Sequence, residues 1–297
     1  LVVVHTKFLF DQWVSEIKLR LGIKAGRIGN GIYNIDSPIV IATVQSLRNR
    51  ILDLTSTFGT IIVDECHHVP ASVFKSIVDK FKARYKIGLT ATPWRKDGRH
   101  IMLYDYFGGR NEEFVPPDEN SIKPTIIMLE TDIPFSNNSA DPWPTRVSEL
   151  YTRHDWMELI VSVSEIYAKN DYLVLTVSDR VEFLTTCAEV IDNSLLVIGA
   201  TEDRDILKSG KNPVFGSSKI FSEGVNIPPL SCLVLGMCIN NRTLLEQLIG
   251  RICRVHEGKK DPIVVDIKLR GKTAKNQAAQ RINYYMEKGY KIEYIKV

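Results

Sequence analysis

The stretch Thr60-Ile-Ile-Val-Asp-Glu-Cys-His-His68 decides how the rest of the chain is read. Its short β-branched run predicts a strand. Two adjacent carboxylates follow at the strand's end, where ligands of open α/β sheets gather. Asp64 there suits a hydrated magnesium ion, a hard cation that takes oxygen ligands and keeps several waters. Glu65 suits a base that orients the water attacking a γ-phosphate. His67 suits a sensor of the nucleotide. A plain polar turn after a strand fits the same letters, so the segment alone leaves both readings open. A zinc site from Cys66, His67 and His68 is weaker, because adjacent ligands do not close a tetrahedron without distant partners.

Outward from this stretch the chain alternates strands and helices. A strand over 1–4 precedes a helix in which Leu9, Phe10, Trp13, Val14, Ile17 and Leu21 recur with the 3.6-residue period. Further strands are expected over 39–42 and 60–63, then a helix over 70–84 and a strand over 85–89. The strands are continuous apolar runs, as in a parallel sheet buried on both faces. Six of the 13 prolines fall between 111 and 148, a texture of linkers that places a domain boundary near 116, with one strand over 125–129 inside it. A second alternation follows: helix 154–169, strand 172–176, helix 180–191, strands 195–198 and 232–235, helix 243–253, strand 263–266 and helix 274–288. The expected fold is therefore α/β, two tandem lobes with mostly parallel sheets, over 1–115 and 116–297.

Length and composition permit this without pointing to it. At 297 residues the chain has room for about two domains of roughly 100–200 residues each. A hydrophobic share of 44% allows sizeable cores, while the net charge of +3 is too mild to argue for nucleic acid by itself. Five cysteines with no C-x-x-C pair disfavour a disulfide framework or a zinc knuckle. They fit a reducing compartment, cytoplasmic or nuclear. No apolar run approaches the roughly 18–20 residues of a membrane span. The opening Leu-Val-Val-Val-His carries no signal-peptide features and reads as a strand cut at its start, so upstream sequence is expected.

Two more segments carry chemistry. Gly88-Leu-Thr-Ala-Thr-Pro-Trp94 puts the hydroxyls of Thr90 and Thr92 just past a strand, in a turn set by Pro93, although many ordinary loops share this composition. In Glu246-Gln-Leu-Ile-Gly-Arg-Ile-Cys-Arg254, Gln247, Gly250, Arg251 and Arg254 fall at i, i+3, i+4 and i+7 of the expected helix and share one face. Guanidinium forks beside a glycine suit phosphate oxygens, and a solvated basic stripe is the bland alternative.

Together these segments resemble superfamily 2 helicases. Asp64-Glu-Cys-His67 resembles motif II, Thr90-Ala-Thr92 motif III, and Gln247-x-x-Gly250-Arg251-x-x-Arg254 motif VI. Phe221-Ser-Glu-Gly-Val-Asn-Ile-Pro228 resembles motif V. Val3-Val4-His5-Thr6-Lys7 with Gln12-Trp13 resembles motif Ia, Ile41-Ala-Thr-Val-Gln-Ser46 the nucleic-acid-contacting motif after it, and Leu173–Asp179 motif IV. The phrasing is similar to XPB-type and phage UvsW-type DNA helicases, and the motifs run in order from residue 1 to about 267.

The resemblance implies two RecA-like lobes that use ATP and magnesium. Asp64 and Glu65 would serve the metal and the attacking water. Arg251 and Arg254 would act as arginine fingers with Gln247 beside them, and Gly224 and Asn226 of motif V would also meet the nucleotide. His67, Thr90 and Thr92 would couple hydrolysis to movement. Thr6, Lys7, Thr43, Gln45 and Ser178 would contact the nucleic-acid backbone, DNA on the motif phrasing, with RNA open. Phosphate contacts of this kind carry little sequence preference. A monomer without membrane attachment is expected, in a host cytoplasm if the source is a phage.

The sequence departs from the family in two places. No G-x-x-x-x-G-K-[ST] phosphate loop precedes motif Ia; Gly271-Lys272-Thr273 lacks the first glycine, where Asp266 stands, and follows motif VI. The first lobe is therefore expected to be incomplete, and residues 1–297 alone to hydrolyse ATP negligibly. Asn226 stands where the family has Asp, which removes a carboxylate contact. After motif VI, residues 277–290 read either as a basic and aromatic nucleic-acid surface or as an amphipathic helix closing the second lobe. Three functions stay in view: an ATP-driven helicase, a restriction- or remodelling-type duplex translocase, and a catalytically silent nucleic-acid-binding module.

Overall fold

The computed structural model describes residues 1–68, 77–90, 101–108, 121–138, 140–199, 201, 206–222 and 227–297. The chain divides into two compact units, Leu1–Pro117 and Asp118–Val297. Among the described residues no helix is long and apolar enough to cross a membrane.

In the first unit β1 (Val2–Val4) leads into α1 (Lys7–Leu21), followed by β2 (Gly26–Gly29), β3 (Ile32–Asn34) and β4 (Val40–Thr43). Two short helices, α2 (Val44–Arg48) and α3 (Ile51–Leu54), precede β5 (Thr60–Val63), β6 (Tyr85–Gly88) and α4 (Ile101–Phe107). The sheet order is β3-β2-β4-β1-β5-β6, parallel except for the β2–β3 hairpin. Alternation along β1 serves both faces. Val3 packs with Ile28, Val40, Leu47, Ile51 and Val63, while Val2 and Val4 pack with Leu9, Phe10, Ile17 and Ile41 of the α1 side.

The second unit runs β7 (Thr125–Pro134), α5 (Trp143–Tyr151), α6 (His154–Lys169), β8 (Val174–Ser178), α7 (Val181–Val190) and β9 (Leu195–Val197). It continues through α8 (Ile206–Ser209), β10 (Val214–Ser217), α9 (Ser218–Ser222), β11 (Cys232–Leu235), α10 (Arg242–Ile252), β12 (Ile263–Arg270), α11 (Lys272–Glu287) and β13 (Lys291–Lys296). Its sheet order is β13-β7-β12-β11-β8-β10-β9, and the pairs are parallel.

Helix α11 shows why its polar residues lie where they do. Arg281, Tyr284 and Tyr285 are buried, so this face closes the unit instead of offering a nucleic-acid surface. Arg281 donates to both oxygens of Asp266 at 2.8 Å and to the carbonyl of Ile239 at 3.0 Å, and the Tyr285 hydroxyl donates to Asp266 at 2.8 Å. Burial works against the guanidinium's charge, but the Asp266 charge and hydrogen bonds outweigh it and hold Arg281 above its ordinary value. Outside this knot, Arg242–Glu287 and Lys288–Glu246 ion pairs tie α11 to α10.

Several expectations need correction. The irregular stretch expected through 148 contains α5, and β7 continues to Pro134. The helix expected over 70–84 is not continued at its described end: Val78–Lys80 is a 3-10 turn and Phe81–Arg84 is irregular before β6.

Candidate functional site

Because the central strands of the first sheet are parallel, the residues after β1, β4, β5 and β6 all emerge at one sheet edge. Register aligns Val4 with Thr43, Val3 with Val63, and Val63 with Gly88. Thr6, Thr43, Asp64 and Thr90 therefore follow their strands at the carboxyl edge, where open α/β sheets bind ligands. Thr6 caps α1, its hydroxyl accepting from Leu9 N at 3.2 Å, and Thr43 caps α2 in the same way through Ser46 N. Lys7 and Gln45, the next side chains along, are exposed.

The turn after β5 is tightly specified. Asp64 Oδ1 accepts from the Glu65 amide at 3.0 Å, and Oδ2 accepts from the Trp13 indole N–H at 2.8 Å. Glu65 sits at φ 48°, a left-handed conformation that a side chain bearing Cβ adopts only when its surroundings enforce it. His67 Nδ1 lies 2.6 Å from the Thr90 hydroxyl and 3.3 Å from Glu65 Oε2. Backbone bonds reinforce this link: Cys66 N donates to Leu89 O at 3.0 Å, and Leu89 N to Val63 O at 2.8 Å. The segments read as motifs II and III are thus joined through His67. Thr92 lies outside the described residues. Burial, with the Glu65 charge second, pushes the Cys66 thiol up to about 12, so it rests as a protonated, inert thiol in the core.

In the second unit, Leu245, Leu248, Ile249 and Ile252 bury the inner face of α10. Gln247 and Arg251 are half-buried and Gly250 is exposed; a Cβ at Gly250 would meet nothing within 4 Å among the described residues. Arg251 donates to the carbonyl of Ser222, at the start of the motif V segment, at 2.7 Å. Gly224 and Asn226 lie outside the described residues.

Two site expectations change. The helix ends at Ile252, so Arg254 does not share the helical face of Gln247 and Arg251. It lies in a bridge to Ser121, and Lys259 holds the carbonyls of Ile252 and Arg254 where the helix stops. Ser178 is fully buried, its hydroxyl donating to Tyr151 at 3.1 Å, so it is not presented to a nucleic-acid backbone. Tyr151 in turn donates to Asp179 at 2.7 Å, and burial together with Asp179 keeps its phenol protonated.

Sequence reasoning missed the role of Trp13, which periodicity places simply among the apolar positions of α1. Its neighbour Gln12 has a buried amide oxygen with no hydrogen-bond partner among the described residues, the kind of buried polar atom that asks for an explanation. The signal was the polar atoms both side chains bring into an otherwise apolar stripe.

The family model described as type III restriction enzyme, res subunit, matches residues 1–95. Probable helicase D10 of Escherichia phage T5 is 39% identical over 302 residues, covering 98% of this chain and 67% of that protein. The chain belongs to the superfamily 2 helicases. That membership makes it an enzyme of the ATP-dependent helicase class and its sheets those of RecA-like domains. A putative ATP-dependent RNA helicase of Acanthamoeba polyphaga mimivirus is 28% identical across 99% of this chain and 60% of its own length. The solved structure of S. cerevisiae Dbp5 bound to RNA and ADP BeF3 superposes with a TM-score of 0.68 over 99% of this chain and 76% of that one. At 9% identity this last likeness is one of fold alone. The chain spans 67% of the T5 protein's length and 60% of the mimivirus protein's.

Proposed function

We propose that this chain is the motor core of an ATP-dependent helicase or translocase acting on DNA, with the units Leu1–Pro117 and Asp118–Val297 as its two lobes. The observation that carries the reading is the connected set Asp64, Glu65, His67 and Thr90 at the same carboxyl edge as Thr6 and Thr43. DNA is named on the phrasing of motifs Ia and V.

The residues fit magnesium and nucleotide. Among the described residues no three His, Cys, Asp or Glu side chains cluster around a metal position. One carboxylate beside a second is the donor set a magnesium ion takes when phosphate and water supply its other oxygens. When bound, the ion neutralises charge on phosphate oxygens. Asp64 would hold it, oriented by its two hydrogen bonds. Glu65, offset by its left-handed turn, would orient and deprotonate the attacking water. Arg251 and Arg254, with Gln247, would offset charge gathering on the transferred phosphoryl group. His67 would pass the state of Glu65 to Thr90, and from there through Thr92 to lobe movement. Gly224 and Asn226 of motif V would also face the nucleotide. Thr6, Lys7, Thr43 and Gln45 would meet nucleic-acid phosphates.

Residues 1–297 contain no G-x-x-x-x-G-K-[ST] run, whose backbone and lysine cradle the β- and γ-phosphates. Tested as this length alone, they are expected to turn over ATP negligibly. The deciding experiment measures ATPase activity of the natural protein carrying these residues, with and without DNA or RNA, beside Glu65→Gln. Nucleic-acid-dependent turnover that falls at least a hundredfold in Glu65→Gln supports the motor. Absence of turnover with nucleic-acid binding retained supports a silent clamp instead.

A further inference from the structure

We infer that Trp13 is a positioning residue for Asp64, and that through it α1 carries the state of the nucleic-acid-facing edge to the metal-holding carboxylate. The inference rests on the proposed function and adds to it the route by which nucleic acid regulates hydrolysis.

Three observations meet here. The Trp13 indole N–H donates to Asp64 Oδ2 at 2.8 Å, across 51 residues of sequence. The other oxygen, Oδ1, is taken by the Glu65 amide, so the two donors together fix the carboxylate's rotation. The indole itself is held, because Trp13 packs against the cluster of Val2, Val4, Leu9, Phe10, Ile17 and Ile41. Its nitrogen therefore has little freedom unless α1 itself moves.

Helix α1 is the element whose first turn lies at the candidate nucleic-acid edge. Thr6 caps it, and the exposed Lys7 begins it. From Lys7 to Trp13 is about 9 Å along the axis at roughly 1.5 Å per residue, within one continuous helix. A phosphate drawn onto the first turn and Lys7 thus acts on the rigid body that aims the indole. β1, which feeds α1, is also the neighbour of β5, and Asp64 N donates to Val3 O at 3.0 Å. Groups that hold a metal ligand from behind fix its orientation and tune the metal, and their loss typically costs roughly 10–100-fold in metal affinity or activity.

The test uses the natural protein labelled with 15N at its tryptophan indoles, four of which lie in this sequence. The Trp13 signal is assigned by its absence in Trp13→Phe. Asp64→Asn should move that signal in the ligand-free protein, and so should adding a single-stranded DNA oligonucleotide. Thr6→Ala with Lys7→Ala should suppress the second shift only. In parallel, Trp13→Phe should raise the magnesium concentration for half-maximal ATPase roughly tenfold and reduce the stimulation ratio of DNA over basal turnover. If Trp13→Phe fails to fold, the indole signal is assigned instead through Trp13's own backbone by triple-resonance spectra, and the Asp64→Asn and oligonucleotide shifts, recorded with Trp13 in place, decide alone. A Trp13 signal indifferent to Asp64→Asn overturns the positioning role. One indifferent to an oligonucleotide that demonstrably binds overturns the coupling, as does a folded Trp13→Phe with unchanged magnesium requirement and stimulation. Absence of DNA-stimulated turnover in the unsubstituted protein would instead count against the motor reading, while the Asp64→Asn shift would still judge the contact.

Discussion

At Glu65, two residues past the end of β5, the backbone holds φ 48°, and the same residue bears the carboxylate that lies 3.3 Å from His67. A Cβ in this region costs roughly 1–2 kcal/mol, which glycine avoids at the expense of its larger loss of backbone freedom. Glu65→Gly should therefore be more stable than Glu65→Ala by about 1 kcal/mol in urea unfolding, while neither supports hydrolysis. Equal midpoints would mean that the turn relaxes out of the left-handed region once the carboxylate is gone. Sequence reading reached the identity of Asp64 and Glu65 because adjacent carboxylates after an apolar run are a local pattern. It had no access to the left-handed turn, which residue type disfavours, or to the indole of Trp13, which arrives from 51 residues away.

Helix α11 carries the corresponding argument among the elements. Arg281 and Asp266 are both nearly inaccessible to solvent, and the guanidinium also holds Ile239 O, in the segment leading to α10. Arg281→Met leaves a buried carboxylate without its cation and should cost about 3–5 kcal/mol in denaturant unfolding. Adding Asp266→Leu should recover most of that loss; failure to recover would place the cost in the Ile239 contact. The α11 sequence admits two readings because basic and aromatic residues suit either a nucleic-acid surface or a snorkelling core face, and only packing decides. Strand β10 escaped the sequence for a related reason. Its Gly216 weakens the strand pattern, yet a Cβ there would lie 2.1 Å from the ring of Phe221, so the glycine is demanded by a contact outside the strand. Strands β13 and β3 were missed because they are largely exposed edge positions with no continuous apolar run, and the buried β2 because a glycine at each end and an arginine between leave it no apolar run either. By contrast α6 and α10 were legible to within a residue, since each carries a long apolar period with one buried face.

For the whole molecule, a net charge of +3 over 297 residues leaves the electrostatic part of nucleic-acid binding to local contacts. The proposed contacts on the first unit are mostly neutral: the α1 cap at Thr6, the Thr43 cap and the exposed Gln45, with Lys7 as the cation among them. For single strands the logarithm of affinity falls with the logarithm of salt at about 0.7 per phosphate neutralised. One or two such contacts make a fourfold rise in salt cost roughly three- to sevenfold in affinity, where six to ten would cost several hundredfold or more. Binding of a fluorescent single-stranded DNA, followed by anisotropy between 50 and 200 mM salt (about the range over which such slopes are read), should weaken by less than about tenfold. Lys7→Ala should flatten the slope further, by about one contact. A steep slope that survives Lys7→Ala would move the interface towards other cations, with the exposed Arg48 at the end of α2 and Arg50 just beyond it the first to substitute. A shallow slope suits a motor, because contacts made mainly by caps and amides can be released at every step without first recovering a dense counterion layer.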